Sequence, residues 1–344
     1  IMATSLNTAF FNSKELNIAL KLDSSNVGTA ASGASGWNLV ESESVTPPTF
    51  NDLTVERRAG AGSGIFTEET DFFKYTPGAI IECSVSGLLT DEIFKLLIQL
   101  GLGSAFSTNV ISIDNNSTNL TFEHNASAAA NKTFSVAYNG AVGNDSIVIP
   151  GCVATSLTIS GDPNEDGGRM TFEMTAQSRT PVAAGAFSTA VAASDTLSSN
   201  YTFLGDFSNH TWLMDAEVLL KSFSMTVENP VTIAGYGGSG GTGAPQTYIR
   251  SVPEMSVMIN PVVKYDTNLD GLWDIMRESA ATASLAEPAF EMADNGTYTD
   301  GNRAIRVTNA RLDSLSWDEG DYLGLNVGLK LVGGTSPDLY IKYV

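Results

Sequence analysis

The stretch Ile81-Glu82-Cys83-Ser84-Val85 decides how the chain is read, because the segment around it occurs twice. Ahead of it, Ala59-Gly60 opens a glycine-rich loop and Pro77 precedes the run. Behind it, Ile93, Leu96, Leu97 and Leu100 recur at helical spacing. Ala234-Gly235, Pro253, the apolar run Met255 to Ile259, and then Leu269, Leu272, Trp273 and Met276 repeat that order roughly 175 to 176 residues later. Both apolar quartets keep an i, i+3, i+4, i+7 frame, the stripe of an amphipathic helix. Phe122-Glu123 matches Phe290-Glu291, and Thr155-Ser156-Leu157-Thr158-Ile159 matches Asp313-Ser314-Leu315-Ser316-Trp317, at smaller offsets that place longer insertions in the first half. Two copies of one unit suggest a building block before an enzyme.

Alternation with period two supplies the strands. Met170, Phe172 and Met174 alternate with Thr171, Glu173 and Thr175. Phe223, Met225 and Val227 alternate with Ser224, Thr226 and Glu228, and Leu323 to Leu331 does the same near the end. Such half-buried strands belong to antiparallel sheets. Two helices are expected. The first has Thr90 as N-cap, Asp91 and Glu92 at the positive end of its dipole, and Gly101 as the left-handed C-terminal residue. The second runs from near Asn268 or Asp270 to about Ser279. The expected architecture is mainly β, with two tandem antiparallel sandwich or barrel units, each flanked by one short α-helix. The aperiodic stretch Thr180 to Ser199 is read as the connector, giving units over 1–200 and 201–344.

Composition narrows the function. The 344 residues are 42% hydrophobic and 16% charged, enough apolar material for two cores. With 18 basic and 38 acidic residues the net charge is −20, so the surface repels phosphate instead of neutralising it. That excludes a DNA-reading role but suits a surface past which a polyanion must slide. Cys83 and Cys152 lie in apolar-alternating patterns and are expected to be reduced core thiols. The start, Met2-Ala3-Thr4-Ser5, has no basic segment followed by an apolar core, and no apolar run reaches membrane-spanning length, so a soluble location without membrane partners is expected.

Several motifs compete with blander readings. Asp162, Asn164, Asp166, Gly167 and Glu173 satisfy the twelve-residue calcium-loop pattern, but strand-like flanks replace the two helices that such a loop requires, which favours a hairpin turn. Asp266, Asn268, Asp270 and Gly271 begin the same pattern and end on Arg277, a cation where a carboxylate is needed. Gly235 to Gly241 matches both the dinucleotide fingerprint and the esterase elbow, without a following helix or a base for Ser239. His124 and His210 have neither metal-ligand spacing nor a neighbouring nucleophile. No catalytic residue, cofactor or enzyme activity is assigned.

The glycine-rich stretches at about 56–76 and 232–252 are read as long hairpin arms that order on a neighbouring subunit. Their candidate contact residues are Gly60, Phe66, Phe72, Phe73 and Tyr75 in one, and Tyr236, Gly240, Tyr248 and Arg250 in the other.

Pro77 to Gly87 with its helix to Gly101, Gly151-Cys152-Val153-Ala154-Thr155-Ser156-Leu157-Thr158-Ile159-Ser160-Gly161, and Lys221 to Asn229 resemble the major tail tube proteins of tailed phages, in their large form with two tandem units. The resemblance implies rings formed by sheet edges meeting between subunits and arms touching the next ring. It further implies a negatively charged conduit for DNA ejection. Two units per chain imply a homotrimeric, pseudo-hexameric ring, with a true hexamer as the alternative. Implied partners are other copies of the chain, tail proteins at the tube ends, and tape-measure protein and genomic DNA in the lumen without sequence-specific binding. The implied location is the virion tail, after assembly in the host cytoplasm. Glu173 and Glu228 are lumen candidates. The rival readings are an exported adhesin or pilus-like subunit, which needs an export signal, and a calcium- or carbohydrate-binding module, which needs clustered aromatics where Trp37, Trp212, Trp273 and Trp317 are dispersed.

Overall fold

The computed structural model of the chain describes residues 16–23, 36–42, 45–56, 72–102, 110–113, 133–140, 146–178, 200–207, 209–214, 216–229, 231–236, 245–250, 254–262, 288–300, 302–319, 323–332 and 339–343. The first part contributes β1 (Leu16–Leu22), β2 (Asn38–Val40), β3 (Thr49–Glu56), β4 (Phe72–Leu88), α1 (Asp91–Leu102), β5 (Val110–Ile113), β6 (Phe134–Gly140), β7 (Ser146–Gly161) and β8 (Thr171–Ser178). The second contributes β9 (His210–Leu213), β10 (Ala216–Glu217), β11 (Leu219–Glu228), β12 (Val231–Tyr236), β13 (Pro245–Arg250), β14 (Glu254–Val262), β15 (Phe290–Ala293), β16 (Arg303–Val307), β17 (Ala310–Glu319), β18 (Leu323–Leu331) and β19 (Leu339–Tyr343).

The fold is mainly β, as expected, and strand neighbours pair antiparallel throughout the described sheets. The large sheet has eleven strands in the order β17-β18-β14-β11-β7-β6-β1-β2, with β8 also beside β7, β4 beside β8 and β3 beside β4. One order therefore occurs twice, β3-β4-β8-β7 and β11-β14-β18-β17, and the two runs meet where β7 pairs β11. Their irregularities coincide as well. The register of β7 on β8 shifts between Ala154 and Ser156, and that of β17 on β18 shifts between Leu312 and Ser314.

A four-stranded sheet, β15-β16-β19-β5, forms a second layer. Phe223 of β11 stacks on Phe290 of β15 at 5.8 Å between ring centroids, so the two layers share one core. That core contains the inward phase of each alternating run, including Val85, Met174, Leu157, Met225, Val257 and Val327. Burying such side chains contributes about 1.5–3 kcal/mol each. The first helix also joins the core through Ile93, Phe94, Leu97 and Ile98.

Thr90 caps α1 as the sequence suggests, its Oγ1 accepting from the Ile93 amide at 3.5 Å. Gly101 corrects the sequence reading. It lies inside the helix, where a Cβ would sit 2.7 Å from Leu157 Cδ2, and its carbonyl accepts from Asn229 Nδ2 at 2.7 Å. Glycine is used there for close packing on β7, not for a left-handed turn. The second expected helix, the Asp266 to Gly271 pattern and the connector Thr180 to Ser199 lie outside the described residues.

Candidate functional site

The face of the large sheet opposite the core is built from the other phase of each strand, and it is mostly hydroxyl and amide. Thr158 pairs with Glu173 on one side and with Thr226 on the other; Ser86 pairs with Glu173 and Ser256 with Thr226. Directly paired residues share a sheet face. Glu173, opposite Thr158, and Glu228, opposite Ser156 and two residues from Thr226, therefore lie on the same face, and both are exposed. Hydroxyl pairs knit the strands across it: Thr155 with Thr175 at 3.0 Å, Thr158 with Thr226 at 3.0 Å, and Ser160 with Thr171 at 3.1 Å. Where β14, β18 and β17 continue this face, lysines meet acids, Lys330 with Glu254 at 2.7 Å and Lys221 with Asp318 at 2.6 Å. Exposed pairs of this kind contribute little to stability. A recess of about 370 Å³ opens on the same face between Glu41, Ser86, Thr158, Asp166 and Glu173.

At one end of these strands stand two hairpins. The first pairs Leu53 with Tyr75, Thr54 with Lys74, Val55 with Phe73 and Glu56 with Phe72. The second pairs Val231 with Arg250, Ile233 with Tyr248 and Tyr236 with Pro245. Phe72, Phe73, Tyr75, Tyr236, Tyr248 and Arg250 thus sit on paired strands, whereas Gly60, Phe66 and Gly240 lie outside the described residues. The second hairpin follows β11 and leads into β14, and the first ends in β4, so both project beyond the same ends of the sheet. At the opposite end, beyond Gly161 and Thr171, an apolar recess of about 330 Å³ is bounded by Pro163, Leu204, Phe207 and Val218 and by the exposed Phe203 and Leu219.

The calcium-loop residues form the connection between β7 and β8. Asp162 Oδ1 accepts from the Asn164 amide at 2.8 Å and from Asn164 Nδ2 at 3.2 Å, an Asx-type turn. Asp166, Gly167 and Gly168 take positive φ values of 48°, 67° and 81° to reverse the chain. Glu173 stands opposite Thr158, four residues before Asp162, a separation of about 13 Å at about 3.3 Å per strand residue. The turn therefore does not bring the twelfth-position carboxylate to the other oxygens. Among the described residues no group of three His, Cys, Asp or Glu side chains is placed to hold a metal ion.

Cys83 and Cys152 are buried free thiols. Burial pushes the Cys152 thiol well up, which keeps it protonated and unreactive. His210 bonds Glu291 at 2.8 Å, and Arg306 approaches the same carboxylate at 3.6 Å, so this histidine is a structural partner of a buried acid. His124 lies outside the described residues. No helix among the described residues is long and apolar enough to cross a membrane.

Two features of this surface escape the sequence reading. One is the strand edge at Thr49 to Asn51, although Pro47-Pro48 just ahead of it is a signal for an edge, since proline cannot donate to a ladder. The other is Trp317, a large aromatic left 42% exposed on β17, the far edge of the sheet.

A family model for phage tail tube proteins matches residues 27–270, a span that contains both hairpins, the repeated strand order up to β14 and the joint between β7 and β11. The chain belongs to the phage tail tube protein family. No curated protein matches it. Membership makes this tail tube protein a structural component of the virion tail. Tail tube proteins are not an enzyme family.

Proposed function

We propose that this tail tube protein assembles as a homotrimeric ring of six related β units, 1–200 and 201–344 in each chain, and that the rings stack into a tube that conducts genome DNA during ejection. The observation that carries the reading is the repeated strand order, β3-β4-β8-β7 followed by β11-β14-β18-β17, with matching register shifts. Two equivalent blocks per chain give sixfold pseudosymmetry with three chains, and cyclic closure is the common outcome for head-to-tail copies. In this reading the hydroxyl face with Glu173 and Glu228 lines the channel. Among the described residues the charges of this face on β7, β8, β11 and β14 are acidic or paired, and the exposed Arg311, opposite Lys330, stands at the β17 edge, so the region around Glu173 and Glu228 repels DNA phosphates. The hairpins at 56–76 and 232–252 bridge successive rings. Tail proteins cap the tube ends, the tape-measure protein occupies the lumen before the DNA, and assembly takes place in the host cytoplasm.

Negative-stain microscopy of the purified protein tests the reading directly: annular end views with three chains per ring support it, and a solid or non-annular polymer overturns it. Deleting Gly235 to Gly243 is expected to leave a folded chain that no longer polymerises, and undiminished tube growth would refute the bridging role.

A further inference from the structure

We propose that the ring closes by a strand joint between β17 of one chain and β3 of the next, in the register that the chain already uses internally between β7 and β11. The proposal rests on the ring reading above and adds its partner surfaces. Among the described residues, β3 pairs only with β4 and β17 only with β18, so each presents an open ladder edge. Open edges recruit other strands unless they are covered.

The internal joint supplies the template. Across it Thr226 faces Thr158, Val227 faces Leu157 and Glu228 faces Ser156, with the two threonine hydroxyls 3.0 Å apart. Aligning the register shifts of β7 and β17 makes Ser314 equivalent to Ser156, Leu315 to Leu157, Ser316 to Thr158 and Trp317 to Ile159. On the other side, Thr49 faces Glu82 as Thr226 faces Ser256. Glu82 and Ser256 in turn face Gln177 and Lys330, which occupy equivalent places on β8 and β18. Thr49 is therefore equivalent to Thr226, Phe50 to Val227 and Asn51 to Glu228. Applied between chains, the template sets Thr49 opposite Ser316, Phe50 opposite Leu315 and Asn51 opposite Ser314. A hydroxyl pair again falls at the centre of the joint.

Burial points the same way. Leu157 and Ile159 are both 0% exposed under the internal joint, whereas Leu315 is only half-buried and Trp317 is 42% exposed at the open edge. Such an aromatic gains most from an incoming strand. Pro47-Pro48 ends the ladder ahead of Thr49, so the joint between chains is shorter than the internal one, which runs from Phe223 to Glu228.

The test uses full-length chains that carry the native, buried Cys83 and Cys152. One chain carries Thr49→Cys and a second carries Ser316→Cys, and the two are co-assembled and mildly oxidised. A chain-to-chain disulfide forming at least tenfold faster than with Ser314→Cys in place of Ser316→Cys is expected, because diagonal neighbours stand beyond disulfide reach. Rings that form but cross-link faster through Ser314→Cys, or through neither, overturn the register and leave the ring reading intact. Absence of rings in the unsubstituted protein overturns both. Trp317 emission, isolated by subtraction of Trp317→Phe, gives a readout without cysteine variants: a blue shift on assembly is expected, and an unchanged spectrum in formed rings counts against the joint.

Discussion

Tyr343, in the last strand, stacks on Phe94 of α1 with ring centroids 4.5 Å apart. Its hydroxyl bonds Asp91 at 2.5 Å and pairs with Thr202 Oγ1 at 2.8 Å, and Arg303 reaches Asp91 at 3.4 Å while also bonding Asp206. Asp91 sits in the first turn of α1, where the helix dipole favours its charge. The end of the chain is thereby tied to its first helix. Tyr343→Ala removes a fully buried ring and is expected to destabilise the fold by about 3–5 kcal/mol. Tyr343→Phe keeps the ring, leaves the Asp91 and Thr202 bonds unmade, and is expected to cost about 1–3 kcal/mol. Urea unfolding of the unassembled chain measures both, and a Tyr343→Phe variant as stable as the unsubstituted chain would show that the hydroxyl is idle.

Asp23 gives the fold a definite pH dependence. Its carboxylate accepts from Ser135 Oγ at 2.5 Å and from the Gly151 amide at 3.0 Å, yet burial outweighs these bonds and pushes its pKa up to about 6. An acid whose pKa is higher folded than unfolded stabilises the fold while protonated. That contribution is complete below the unfolded value of 3.8 and is lost as pH rises to about 6. Relative to Asp23→Asn, the wild type is expected to lose on the order of 3 kcal/mol between pH 4 and pH 7. Parallel stability curves for the two proteins would contradict this.

Gly101→Ala sets helix propensity against packing. Alanine is favoured over glycine in a helix by about 1 kcal/mol. Its Cβ, however, would lie 2.7 Å from Cδ2 of the fully buried Leu157, and overpacking of that kind costs about 1–3 kcal/mol. A net loss of stability is expected, reduced when Leu157→Val is combined with it. A more stable Gly101→Ala single variant would show that β7 yields freely.

Alternation made much of this architecture legible. Met170, Phe172 and Met174, and likewise Phe223, Met225 and Val227, are buried in the phase that their spacing indicates, because period two reports directly which side chains face the core. Thr90 was legible for a local reason, the bond to the amide three residues on. Pairing partners were not. Nothing in Val110–Ile113 announces that it lies beside Leu339–Tyr343, since non-local pairing is decided by the whole core and not by either strand. Gly101 misled for a similar reason: its partner Leu157 comes from another element. At the surface, the phase put Glu173 and Glu228 outward, but their sharing of one face follows only from the registers of β7, β8 and β11.

That shared face supports a charge-reversal experiment. Glu173 and Glu228 are exposed among hydroxyls, so Glu173→Lys combined with Glu228→Lys changes the local field without removing a core contact. Tubes of the double variant are expected to form normally and to retain short linear duplex DNA at low salt, with retention falling steeply as salt rises. If this face lines the channel, covalently closed circles, which cannot thread a tube, are excluded from the new lysines and stay unbound. Co-sedimentation of both DNA forms with assembled tubes separates the possibilities. Equal capture of circles and linear duplexes would place the two residues on the outside and return the lumen to another face of the sheet.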